Sequence, residues 1–314
     1  MHKTKARMTL LAHGGAGAAP LSEEMAERRR GMLEAIKSGA AALSRTGALD
    51  AVVATVAALE DHPLFNAGYG SLLNSKGEVE MDASLMVVEP SQDDRGVSQT
   101  RAGAVAAVKR AKHPIMLARA VMELTDHVLM TGAGAETLAK KAGLELRRPE
   151  QMITTRARER WLARAAAPKL PGHGTVGAVA LDAQGRIAAA TSTGGVPGKI
   201  AGRVGDSAII GAGVFAAASG AASATGYGEA IIMTGLCREV IRRLSEHNPS
   251  AAAEIAIREL IVPLGAEAGI VVVNAKGAIG FAHNATAMQV AIYQPAKGFR
   301  VEWSTPIGIA RKKP

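Results

Sequence analysis

The stretch His173-Gly174-Thr175-Val176-Gly177 sets a threonine between glycines at the start of an apolar run. A hydroxyl is a weak nucleophile until a base takes its proton. A cut between Gly174 and Thr175 would free an α-amine on the residue that carries the hydroxyl, making nucleophile and general base one residue. Such an amine titrates near 8, low enough to accept a proton at neutral pH. Left uncut, Thr175 is an ordinary strand-entry residue, since Thr and Val suit a pleated surface.

Other segments offer chemistry that complements a hydroxyl nucleophile. Thr191-Ser192-Thr193-Gly194-Gly195 ends the second strand of the hairpin that begins near Thr175, which would bring those hydroxyls beside it. Gly202-Arg203-Val204-Gly205-Asp206-Ser207 holds a cation and an anion three residues apart; Arg forks onto a carboxylate and Asp accepts from an ammonium, so the pair fits a zwitterion as well as it fits a surface ion pair. Ala224-Thr225-Gly226-Tyr227-Gly228-Glu229 reads as a helix start, with Thr225 either a simple N-cap or, with the free N–H groups there, an oxyanion donor. Asn66, in a glycine-rich turn, offers an amide donor or merely a turn residue. His13-Gly14-Gly15-Ala16-Gly17-Ala18 lacks the Gly-Lys-Ser/Thr of a phosphate loop and the dinucleotide spacing, so it reads as a structural loop against the site.

The elements that must position these residues are legible from periodicity. Residues 8–12 read as a first strand ended by the His13 loop. Helices follow over 22–43, N-capped by Ser22, and over 50–61, N-capped by Asp50, with Pro63 forcing an exit. Asn74-Ser75-Lys76-Gly77 reads as a hairpin turn leading to a strand over 79–88, and 103–108 as another strand. Helices are expected over 113–125, 133–142 and 156–166, then a flexible linker over 167–172, where cuts are tolerated. Beyond it, strands at 176–181 and 187–192, and again at 268–274 and 278–283, form two hairpins, with helices over 229–244 and 250–260 filling the interval. Strand pairs and helix pairs in both halves predict layered sheets covered by helices.

Composition narrows the classes. The chain has 314 residues, 48% hydrophobic but only 3% aromatic, with 35 glycines, which points to closely approaching backbones and many tight turns. The lone Cys237 excludes an internal disulfide and a multi-cysteine metal site, and reads as a buried thiol. The net charge is +9, but Lys3, Lys5, Arg7, Arg311, Lys312 and Lys313 lie at the ends, and without those six the balance is +3. The basic cluster over 147–169 has one tryptophan and no aromatic interleaving, so no nucleic-acid surface is expected. The apolar core of the amino-terminal segment is too short for a signal peptide, and no stretch approaches a membrane span, so a cytoplasmic protein with no membrane contact is the expectation.

Taken together, HGGAGA, PLFNAGYGS, MDASLM, HPIMLAR, HGTVGAVALD, ATSTGG, GRVGDS, GAGVFA and ATGYGEAI, in that order over residues 10–245, resemble the isoaspartyl peptidase/L-asparaginase family, the plant-type asparaginases among the N-terminal-nucleophile hydrolases. The resemblance implies an α+β fold, a four-layer αββα sandwich in a single domain. It implies a precursor that cuts itself between Gly174 and Thr175 into an α chain (1–174) and a β chain (175–314), assembled as a dimer of αβ units. Carried over to this chain, Thr175 resembles the nucleophile and Thr193 its supporting hydroxyl. Thr225 and Gly226 resemble the oxyanion donors with Asn66 beside them, and Arg203, Asp206 and Gly228 the substrate-binding set. No cofactor is implied for catalysis. The loop from Leu59 to Tyr69 is similar to one whose backbone carbonyls hold a structural sodium. The implied activity is hydrolysis of β-aspartyl dipeptides and L-asparagine through a threonine ester. A glycosylasparaginase-like hydrolase is the neighbouring alternative, although Gly174 stands where those enzymes usually carry Asp; an uncleaved binding protein is another. His283-Asn284-Ala285-Thr286-Ala287-Met288 departs from the family's Phe-Asn-Thr-x-x-Met, and Gln289-Val290 replaces the usual following pair.

Overall fold

The computed structural model describes residues 8–91, 98–166 and 174–308. The expected linker over 167–172, His173 and both basic tails lie outside the described residues. In chain order the strands are β1 (Thr9–Gly17), β2 (Met81–Glu89), β3 (Gln99–Val108), β4 (Leu129–Thr131), β5 (Val176–Leu181), β6 (Ile187–Thr193), β7 (Val214–Ala217), β8 (Gly220–Gly226), β9 (Ala268–Asn274), β10 (Ile279–His283), β11 (Ala287–Gln294) and β12 (Gly298–Ser304). The helices are α1 (Ser22–Arg45), α2 (Ala48–Glu60), α3 (Pro114–Leu124), α4 (Gly132–Lys141), α5 (Thr155–Ala166), α6 (Gly228–Thr234), α7 (Leu236–Arg243) and α8 (Pro249–Ala256).

The strands form an eight-stranded sheet, ordered β12-β11-β1-β5-β6-β2-β3-β4, and a four-stranded sheet, ordered β10-β9-β8-β7. Alternation along each strand sends side chains to both faces, and three apolar layers result. Leu10, Met32, Ile36, Val52, Val56, Leu85 and Ile115 join the large sheet to α1, α2 and α3. Leu11, Val179, Ala221, Val271, Met288 and Val290 fill the space between the sheets. Ala224, Ile231, Cys237, Val240, Ala253 and Ile270 join the small sheet to α6, α7 and α8. Helix, sheet, sheet and helix are thus stacked around two helix–sheet cores and one sheet–sheet core, a layered αββα sandwich.

Several expected boundaries are corrected. β1 does not stop at the glycines but continues to Gly17, with a bulge between His13 and Ala16 against β11; a bulge keeps pairing while admitting an extra residue. Ser22 is inside α1, whose cap is Leu21, and Asp50 is inside α2, whose cap is Gly47 at φ 115. Asp50 instead accepts from Arg119 at 2.6 Å. The hairpin at residues 74–77 reduces to one bridge, Leu73 with Val79, because β2 is taken by β3 and β6. The expected helix over 229–244 breaks at Gly235, in the left-handed region at φ 58, and the helix after Asn248 ends at Ala256 in a single wide turn over Ile257–Ile261. The interval between the two hairpins also holds β7 and β8, and β4, β11 and β12 were not expected.

Candidate active site

Register brings the chemistry to one end of the β5–β6 hairpin. Val176 pairs with Ser192 and Gly177 with Thr191, so Thr175 and Thr193 stand together where that ladder ends. Thr175 is 5% exposed and Thr193 2%. A small cleft is lined by Gly174, Thr175, Thr193, Gly195, Val196, Arg203, Asp206 and Gly226. Most residues expected to act together therefore share one cleft.

The small sheet closes over this end. Thr225 is not a helix cap: it lies in β8, opposite Gly269, and the cap of α6 is Tyr227. Its Oγ1 accepts from the Ala16 N–H of the β1 bulge at 3.2 Å. That bond uses a lone pair and leaves the Thr225 proton able to donate, as an oxyanion donor must. Gly226, at φ 134, pairs with Ala268, and a Cβ there would run into the Glu267 carbonyl and lie 2.5 Å from Ala268 Cα. No other residue fits that turn. Behind Thr175 the sheets approach so closely that a Cβ on Gly177 would overlap Ser223 Oγ and lie 2.5 Å from His13 Nε2.

His13, in the bulged strand, is fully buried and bonds Ser223 Oγ through Nε2 at 3.0 Å, while Ser223 donates to the Ala190 carbonyl at 3.3 Å. Burial drives its pKa from 6.5 to about 3 against a smaller opposing pull from the Thr175 backbone, and Nδ1 has no partner at hydrogen-bonding geometry. A neutral imidazole therefore lies beside the Thr175 backbone, with a tautomer assigned from this chain of bonds.

Arg203 and Asp206 face each other across Gly228. A Cβ on Gly228 would lie 2.6 Å from Arg203 Nη2 and 2.8 Å from Asp206 Oδ1. Arg203 pairs with Glu229, Nε to Oε1 at 3.0 Å, rather than with Asp206. Asp206 is 3% exposed, and its Oδ2 has no partner. Burial lifts its pKa to about 7; Arg203 opposes the rise, while Asp82 and Glu229 add to it. A cation and an anion held close but not joined can receive the carboxylate and ammonium of an amino acid.

Asn66 sits on the other flank. Its Nδ2 donates to the Gly195 carbonyl at 2.7 Å and its Oδ1 accepts from Leu72 N at 2.8 Å. Its backbone carbonyl accepts from Gly194 N at 3.0 Å, and a Cβ on Gly174 would lie 3.3 Å from Asn66 Cβ. Asn66 thus anchors the Thr193-Gly194-Gly195 turn by side chain and backbone and lies beside the residue before Thr175.

Charged residues with no role in the motif reading complete the site. Asp82, buried in β2, accepts from Gly205 N at 2.9 Å and from Ala107 N at 2.9 Å. It thereby fixes the Arg203–Asp206 loop and holds Ala107 at φ 52, in the left-handed region. Lys199, 4% exposed, donates to the Glu80 carbonyl at 2.8 Å and lies against Gly195. The signal for Asp82 was a lone charge in the apolar run of β2; Lys199 sits between two glycine-rich motifs and carries no such signal.

The turn from Leu59 to Tyr69 folds its carbonyls inward. A Cβ on Gly70 would overlap the Phe65 oxygen and lie 2.9 and 3.0 Å from those of His62 and Pro63. Two of these oxygens also accept backbone N–H groups, Phe65 O from Ala67 N at 3.0 Å and His62 O from Phe65 N at 3.2 Å, so the turn is closed on itself around Gly70. Arg28 satisfies the Leu64 carbonyl at 2.5 Å from outside that space.

The divergent carboxyl-terminal segment braces the same end. His283 is buried, with Nδ1 3.0 Å from the Ala285 carbonyl and Nε2 3.0 Å from that of Ser304. Asn284 bonds the backbone of Ala266 and Ala268, next to Gly226. Cys237, in α7, is buried in the core between that helix layer and the small sheet, as expected.

The family comparison agrees with this geometry. The asparaginase family matches residues 6–301. An isoaspartyl peptidase/L-asparaginase of Xenopus laevis is 41% identical over 277 residues, 85% of this chain and 86% of that protein. A plant-type L-asparaginase of Pyrobaculum calidifontis is 43% identical over 297 residues, 89% of this chain and 95% of that protein. The Homo sapiens isoaspartyl peptidase/L-asparaginase is 41% identical over 279 residues, 85% of this chain and 87% of that protein. With a family match and relatives at these levels along most of its length, the chain belongs to the asparaginase family.

Proposed function

We propose that this protein hydrolyses β-aspartyl dipeptides and L-asparagine to L-aspartate, after cutting itself between Gly174 and Thr175. The observation that carries the reading is the cleft in which Thr175, Thr193, Gly226 and the unjoined Arg203–Asp206 pair meet. In processing, the Thr175 hydroxyl attacks the Gly174 carbonyl, the Gly174–Thr175 C–N bond breaks as its nitrogen takes up a proton, and the acyl group passes to Oγ. Water then hydrolyses that ester, leaving Thr175 with its hydroxyl and a free amine and Gly174 with a carboxylate. In turnover that amine takes the Thr175 hydroxyl proton, directly or through water, and Oγ attacks the side-chain carbonyl of the aspartyl unit. Thr225 and the Gly226 N–H receive the oxyanion; one such donor is worth about 10²–10³ in rate. Thr193 supports the nucleophile, Asn66 holds the turn that carries Thr193, Arg203 takes the substrate carboxylate, and Asp206 takes its ammonium beside Gly228. Ammonia or an amino acid departs, and water releases aspartate from the ester.

L-Asparagine and β-aspartyl dipeptides present the same carboxylate and ammonium to Arg203 and Asp206 and differ only in the leaving amine, so both are substrates, with the dipeptide the more efficient. No cofactor enters the chemistry. A sodium held by carbonyls of the Leu59–Tyr69 turn would stiffen the segment that bears Asn66. The protein works in the cytoplasm as a dimer of αβ units. Among the described residues no helix is long and apolar enough to cross a membrane. Arg147 and Arg156 of the basic cluster are paired with Glu145 and Glu24 rather than left for nucleic acid. The test is ammonia release from L-asparagine and leucine release from β-aspartyl-leucine by processed protein; release of neither defeats the reading.

A further inference from the structure

A second cleft lies across the β1 bulge from the first, and the asparaginase chemistry does not use it. Its lining includes Gly14, Gly15, Gly17, Arg28, Arg160 and Trp303. The bulge is the wall between the two clefts. A Cβ on Gly15 would lie 2.5 Å from Gly174 Cα, and the next residue, Ala16, holds Thr225. Gly15 thus stands between the residue before Thr175 and this second cleft.

The cleft carries uncompensated positive charge. Glu24 is engaged by Arg156 in a two-pronged pair, Nε–Oε1 at 2.8 Å and Nη2–Oε2 at 3.2 Å. Arg28 bonds only backbone carbonyls, those of Leu64 and Gly14, and lies 4.7 Å over the Phe65 ring, with its buried Nε unpartnered. Arg160 makes no hydrogen bond or ion pair among the described residues. Burial and the neighbouring guanidinium of Arg156 depress the pKa of both Arg28 and Arg160. Beside the wall, Gln289 pairs with Trp303 across the strands and stands opposite the bulge; it is 1% exposed, and both its amide atoms lack partners. Crowded cations and unpaired donors next to open glycine backbone are a standing attraction for an anion.

We propose that this arginine cleft binds the α-carboxylate of the leaving amino acid of a β-aspartyl dipeptide, with Arg160 as the free fork and Trp303 as a wall for its side chain. The proposal rests on the reading of Thr175 as the nucleophile and adds to it a recognition site for the departing residue. L-Asparagine has no group that reaches the cleft. It gives the dipeptide its advantage, and it sets dipeptides apart from amides or longer peptides that lack a carboxylate at that position.

The test compares β-aspartyl-leucine, β-aspartyl-leucinamide and L-asparagine on processed wild type and on Arg160→Gln. Loss of a charge-assisted contact is expected to raise KM for β-aspartyl-leucine about tenfold. KM for the leucinamide is already high in wild type and stays there, and kcat/KM for L-asparagine is unchanged. Arg160 makes no hydrogen bond or ion pair among the described residues, so Gln removes its charge without removing a structural partner, and unchanged circular dichroism and thermal unfolding confirm that the variant is folded. Equal KM for acid and amide in wild type, or an Arg160→Gln effect shared by L-asparagine, overturns the carboxylate site. If the Gly174 carboxylate occupies the cleft instead, acid and amide are not distinguished, and Arg160→Gln alters processing alone, which also overturns it. Wild type inactive on all three substrates would instead count against the asparaginase reading itself.

Discussion

The helix–sheet core and the Thr175 end of the strands are equally buried and obey different rules. Around Leu10, Met32, Ile36 and Val52 the enclosed side chains are apolar but for Thr55, whose hydroxyl donates to the Ala51 carbonyl one turn back in α2 at 2.8 Å. Around Thr175, Asp206 Oδ2 and His13 Nδ1 are buried without partners, and Gly226 and Ala107 hold positive φ. Buried unpaired polar atoms and left-handed backbone each cost free energy, and they persist where the surroundings leave no alternative. The apolar core holds the molecule together; at the Thr175 end the unpartnered Asp206 Oδ2 and His13 Nδ1 cost part of that stability.

The comparison is broken most sharply at Thr175. Thr175→Ala is expected to abolish processing and to lower kcat by on the order of 10⁶, while leaving the fold intact, as seen by circular dichroism and thermal unfolding. A large loss of stability would make Thr175 a core residue. Next in size, Arg203→Ala and Thr225→Val should each lower kcat/KM by about 10²–10³ with little change in unfolding free energy. Steady-state kinetics on L-asparagine and denaturant unfolding of the same samples check both halves of that statement.

The core supplies the converse. Ile36→Ala is expected to reduce stability by about 2–5 kcal/mol and to leave KM for L-asparagine unchanged at a temperature where the variant is folded. A change in KM would show the two regions to be coupled through α1.

The smallest effect is a pH dependence at Asp206. Its folded pKa is raised to about 7 by burial, so below that pH the carboxyl is neutral and cannot take an ammonium. KM for L-asparagine should therefore fall as pH rises through about 7, and Asp206→Asn should remove that dependence while raising KM throughout. The sign for stability is opposite. Between the ordinary carboxylate pKa near 4 and about 7 the folded chain keeps a proton that the unfolded chain has released. Stability from this group is lost as pH rises across that window, and Asp206→Asn should unfold at higher denaturant than wild type at pH 8.

Much of both regions is legible in the residues alone. β5 and β9 have the bounds their apolar runs predict, and the layered sheets follow from paired strands and paired helices. That Thr175, Arg203 and Asp206 would meet is readable because a hydroxyl nucleophile and a zwitterion clamp demand particular side chains, and the three do line one cleft. What escaped reading depends on pairing at a distance. The β1 bulge looks like a loop because its glycines carry turn propensity, and only β11 and β5 on either side make it a strand. Thr225 looks like an N-cap because Gly228 and Glu229 do open a helix; its place in β8 is set by β9. Asp82 and Lys199 act through backbone atoms far along the chain, where side-chain type alone gives no address.

The central claim, that one threonine supplies both the attacking oxygen and the base, is tested most directly by the intact mass of purified, active protein set beside its turnover. Two fragments, the carboxyl-terminal one beginning at Thr175, with activity rising in proportion to the fraction cut, is the predicted result. Full activity from an uncut 314-residue chain would contradict it.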